Sequence, residues 1–175
     1  MISGTDQHDI DKLGRWLREL TEPSSNSFPV SAVFLVSDAA QIAHDIFRAF
    51  RRSFEQRGAG FGNLIIFGQH GVSSTVQALL SRLSLPPDSI PLLLLLRPAG
   101  YSPAYILPLP AGSASGTISD GLTGPALELL SRVERFADRA AVAFDDSGIT
   151  GLTEIPLPAA DLVTLVRQLV GEIGQ

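Results

Sequence analysis

The chain predicts an α/β fold class, with helices flanking a mixed sheet in three α/β/α layers. Three observations carry this prediction. Short apolar runs alternate with stretches of helical period along most of the 175 residues. The runs at residues 30–36, 63–67 and 90–96 are almost free of polar residues, as in strands covered on both faces. Towards the C-terminus, a turn signal built on Asp and Gly separates two strand-like segments before a last amphipathic stretch, which adds antiparallel pairing to the sheet.

The elements follow in order. Residues 9–20 place Ile10, Leu13, Leu17 and Leu20 at helical spacing, with Asp9 as an N-cap, and "TEPSSNSFP" ends the pattern. The strand at 30–36 leads into a helix over 41–57 that sets Ile42, Ile46, Phe50 and Phe54 opposite His44, Arg48, Arg51, Arg52 and Glu55. Gly58 and Gly60 stop it. After the strand at 63–67, "GQHG" turns into a helix that opens on a capping box at Ser74–Gln77 and faces the core with Val76, Leu79, Leu80 and Leu83.

The strand at 90–96 is introduced by Pro91. "AYILPLP" reads as an edge strand because Pro108 and Pro110 cannot donate to a ladder. "AGSASGTISDG" is a loop, and Thr123 and Pro125 start a helix through Asp138 carrying Leu127, Leu130, Val133 and Phe136. "AAVAFDDSGITGLTEIPL" reads as two strands around a turn at 145–148, and residues 161–173 close the chain as an amphipathic helix. Residues 1–27 form an N-terminal helix and linker ahead of one domain over 28–175.

Composition narrows the function. A formal net charge of −5 leaves no basic stripe for a nucleic acid. Twelve of the thirteen basic residues are arginine and Lys12 is the single lysine, a bias we read as codon usage. The absence of cysteine removes disulfides, thiolate metal sites and thiol redox chemistry together. No apolar run has signal-peptide or membrane-spanning character, so the expected location is the cytoplasm.

The order of elements resembles the thioredoxin-like folds, and more closely their peroxiredoxin-like branch. Three stretches carry the resemblance: "FEQRGAGFGNLIIFG"; "VSSTVQALLSRLSLP" with "IPLLLLLRPAG"; and "DRAAVAFDDSGITGLTEIPL" before the last helix. It spans roughly residues 28 to 172. Members of that branch hold a peroxide-attacking cysteine at the first turn of the helix after the first core strand, where the helix N-terminus stabilises a thiolate. Here that place is taken by Asp38, Ala39, Ala40, Gln41 and Ile42. Alanine cannot attack a peroxide, and Asp38 opposes a neighbouring anion. The resemblance further aligns Arg139 with an arginine that packs near the reactive sulfur, here left with a structural role. It also aligns Pro91 with a position that often carries a cis-proline.

Other residues offer further chemistry. Ser37, Asp38, Gln69 and His70 share one rim if the first two strands are neighbours, a possible ligand rim together with Pro91 and Arg139. A Ser/His/Asp group would need more, since Ser37 and Asp38 are adjacent and no G-x-S-x-G elbow is present. His44 falls on the charged helix face and His8 in a mobile end, and neither forms a paired-histidine metal motif. "RGAGFGN" precedes a strand and so is a helix stop, not a phosphate loop. Asp145 and Asp146 belong to a hairpin turn.

No metal or cofactor is implied. The leading reading is a redox-inactive thioredoxin/peroxiredoxin-like module that binds a protein partner or itself as a homodimer, through Tyr101, Tyr105, Ile106, Leu107 and Leu109. The alternative is a small-ligand binder or cofactor-independent enzyme using the Ser37/Asp38/His70 rim.

Overall fold

The structure, a computed structural model, describes residues 4–22, 28–96, 104–112, 124–139, 144, 146–156 and 162–173. In order these form α1 (Gly4–Thr21), β1 (Ser31–Leu35), α2 (Gln41–Gln56), β2 (Leu64–Phe67), α3 (Ser74–Arg82), β3 (Leu92–Leu96), β4 (Ala104–Pro108), α4 (Pro125–Arg139), β5 (Thr153–Ile155) and α5 (Leu162–Ile173). The fold class is α/β. The sheet runs β2-β1-β3-β4-β5, with β1 and β2 parallel and the other pairs antiparallel.

Strand alternation divides the core into two layers. Ala32 and Phe34 of β1, Ile66 of β2, and Leu93 and Leu95 of β3 pack against α2 and α4. Val33, Leu35, Ile65, Phe67, Leu92, Leu94 and Leu96 point the other way, onto α1, α3 and α5. Every residue of β1 and β3 is therefore buried, which is why these strands read as unbroken apolar runs. Gly58, in the left-handed region at φ 77°, ends α2 close to where its sequence pattern stops.

Several expectations change. α1 begins at Gly4 instead of residue 9, and Asp9 is 2% exposed on the inward face, one turn ahead of Leu13 and Trp16. The α3 cap is Ser73 instead of Ser74, and its side chain accepts the Val76 N–H. Sequence pattern favoured Ser74 because the box spacing to Gln77 matched, but the hydroxyl that points back at the helix is one residue earlier.

β4 is interior, because β5 pairs with Ala104, Tyr105 and Ile106 on its outer side. Pro108 sits at the end of the strand, opposite Leu92, and Pro110 lies beyond it, so neither interrupts the ladder. The consequence for the expected interface is direct: Tyr105, Ile106, Leu107 and Leu109 are core residues, none more than 8% exposed. Tyr101, Asp145 and residues 140–143 of the first strand expected before the 145–148 turn lie outside the described residues.

Candidate functional site

The rim is built by the ends of three neighbouring strands. β1 and β2 stay in register to their last residues, and the Val36 N–H donates to the Phe67 carbonyl at 3.0 Å. Gly68 then turns with φ +83°, so close to β1 that an added Cβ would stand 2.0 Å from the Val36 carbonyl oxygen. On the other side of β1, the pairing of Leu35 with Leu92 brings buried Pro91 next to Val36. The Ile90–Pro91 peptide is cis, and the Pro91 carbonyl accepts the Leu109 N–H at 2.9 Å.

Ser37, Asp38, Gln69 and Pro91 are thus neighbours at one end of the sheet, with His70 next in the turn. Ser37 is half-buried and engaged through its carbonyl, which accepts the Ala40 N–H and lies 3.0 Å from His44 Nε2. That contact makes His44 half-buried, where sequence placed it in solvent. Asp38 is exposed, and among the described residues neither its carboxylate nor the Ser37 hydroxyl bonds to Gln69 or His70. Arg139 ends α4, and its side chain lies outside the described residues.

The start of α2, where the resemblance locates a thiolate, is filled by backbone. Ala40 occupies the N-cap with no side-chain cap, Ala39 is exposed, and the Ile42 N–H donates to the Gly112 carbonyl at 3.4 Å. A first-turn amide that would face an anion is therefore already paired.

Sequence reasoning missed the polar network behind the rim. The buried Asp9 carboxylate accepts the Gly68 N–H at 2.8 Å and the Ser73 hydroxyl at 2.6 Å through Oδ2. Its Oδ1 lies 3.2 Å from Lys12 Nζ, and Lys12 also donates to the Ile66 carbonyl at 2.7 Å. Asp6 accepts the Ser74 N–H at 2.7 Å, so α1 supplies acceptors to the α3 N-terminus as well as to the turn before it. His8, expected in a mobile end, sits on α1 edge-on to His70 with ring centroids 5.3 Å apart. The one lysine among twelve arginines was the available signal, since a unique residue type invites a particular geometry.

Across the molecule, Arg57 at the end of α2 donates to Asp138 of α4. That hydrogen bond, partly offset by burial, raises its pKa above the ordinary guanidinium value. Among the described residues, no group of three or more acidic or histidine side chains is placed to hold a metal, and no helix is long and apolar enough to cross a membrane. Comparison with family models, with curated proteins and with solved structures finds no match to this chain.

Proposed function

We propose that the chain is a redox-inactive member of the thioredoxin-like folds that works by binding another protein. The observation that carries this reading is the start of α2: the element order leads to a thiol site, yet Ala39 and Ala40 stand there and Gly112 closes the first-turn amide. The fold reading is supported by β1 and β2 being parallel with α2 between them, by β3 running antiparallel to β1, and by Pro91 directly ahead of β3. The engagement of the Ser37 carbonyl by Ala40 and His44 supports recognition over catalysis at the rim.

The test is a selection of random displayed peptides against the full chain, run beside peroxide-consumption and disulfide-reduction assays. Sequence-selective peptide retention with background turnover supports the reading. Turnover above background, or no selective retention, rejects it.

A further inference from the structure

We infer that His8 and His70 form a two-histidine surface site for a divalent transition-metal ion that prefers imidazole ligands, such as Zn²⁺. The two residues are far apart in sequence, one on α1 and one in the turn after β2. The fold sets their rings edge-on with centroids 5.3 Å apart. Two imidazoles that share one tetrahedral ion through bonds of about 2.1 Å have their centroids about 5 Å apart. The spacing of a metal-bound pair is therefore present before any ion arrives.

His8 Nδ1 lies 4.0 Å from Asp9 Oδ1, so the carboxylate stands on the Nδ1 side of the ring and leaves Nε2 to the ion. One nitrogen of each ring is enough. The other stays available for contacts within the protein, as is usual for metal-bound imidazoles. Lys12, 3.2 Å from the same Asp9 oxygen, offsets that carboxylate's charge. The pair thus attracts an ion through its nitrogen lone pairs more than through charge, which favours Zn²⁺, Ni²⁺ or Cu²⁺ over Mg²⁺ and Ca²⁺.

Both rings ride on a fixed scaffold. Asp9 ties α1 to Gly68 ahead of His70 and to Ser73 after it, and Asp6 adds the Ser74 N–H. The turn itself is closed by the Gly71 N–H, which donates to the Gly68 carbonyl at 3.1 Å. An ion bridging α1 and the turn would therefore impose little new order on the chain. Both histidines are exposed, so the remaining positions on the ion face water and are open to a further ligand. With two protein ligands, where a resident centre has three or four, the ion is held exchangeably.

The test titrates the full chain, without an affinity tag, with Zn²⁺ and separately with Mg²⁺, and follows the three histidine rings by NMR. Zn²⁺ should shift the His8 and His70 rings together to a one-to-one end point. The His44 ring, held at the Ser37 carbonyl, should stay in place as the internal control. Mg²⁺ should move none of them. His8→Gln and His70→Gln, each at an exposed position, should weaken Zn²⁺ binding about tenfold or more. Zn²⁺ should raise the melting temperature of the parent chain and leave that of His8→Gln unchanged, because the pair exists only in the folded state.

Zn²⁺ affinity unchanged in both variants, a shift of His44 in place of the pair, or no ring shift at all overturns the proposal. An equal response to Mg²⁺ does the same. The site is independent of the peptide binding proposed above, so neither result decides the other.

Discussion

At Gly68 the backbone passes so close to β1 that a methyl group would stand 2.0 Å from the Val36 carbonyl oxygen, at a φ of +83° that disfavours any side chain. Gly68→Ala should therefore cost about 3 kcal/mol or more, read as a lower urea midpoint at unchanged slope. Thr75 presents the opposite case. Its hydroxyl is fully buried with no hydrogen-bond partner among the described residues, and an isosteric apolar side chain removes that penalty. Thr75→Val should raise stability by about 1 kcal/mol in the same denaturation experiment.

Asp9 and Lys12 form a nearly buried pair, 3% and 14% exposed. Asp9→Asn leaves the ammonium short of its counter-charge and should cost about 3 kcal/mol. The double change Asp9→Asn with Lys12→Met should cost less than the sum of the two single changes, because the second removes the charge the first strands. Additive losses in that cycle would show that the two side chains act independently. Asp9 was illegible in the sequence for a physical reason: one polar residue at the head of an apolar stripe has the pattern of a helix cap. Only the fold, by bringing Gly68 and Ser73 over α1, shows that it is an internal acceptor.

At the scale of elements, legibility followed coverage. β1, β2 and β3 were readable because helices cover both faces and leave no polar residue to blur the run. β4 was readable as a strand but misplaced at an edge, since its prolines are an edge signal in general and only the register shows them at and beyond the strand end. The three-residue β5 that covers it is too short for any period to announce. Among the described residues the edge strands are β2 and β5 instead of the leucine-rich segment, and β2 is guarded by Lys12 from a helix more than fifty residues away in sequence.

α2 carries its own prediction. In Ala39→Cys, the new thiol would sit at an exposed position beside Asp38, with the first-turn Ile42 amide held by Gly112. It should react with hydrogen peroxide within about tenfold of free cysteine, since the first-turn amide is already paired and the neighbouring Asp38 carboxylate disfavours a thiolate. A rate orders of magnitude faster would mean that the site retains a peroxidase environment and has lost only its sulfur.

For the whole molecule, the sequence already excluded thiol chemistry, because that conclusion needs only the absence of cysteine. It also brought Ser37, Asp38, Gln69 and Pro91 to one rim, because strand ends are legible wherever strands are. Whether rim residues cooperate was not legible, as that depends on side-chain direction, and the contacts of the Ser37 carbonyl with Ala40 and His44 are visible only in the fold. The same limit hid the pair of His8 and His70, which come from α1 and the turn after β2 and meet only in the folded chain.

The proposed role of the whole molecule is recognition without catalysis. Its most direct test is equilibrium binding of the peptides recovered from a random displayed library to the purified full chain. A recognition module should bind a subset of the peptides saturably and sequence-selectively. Uniformly non-saturable binding across the recovered peptides would contradict it.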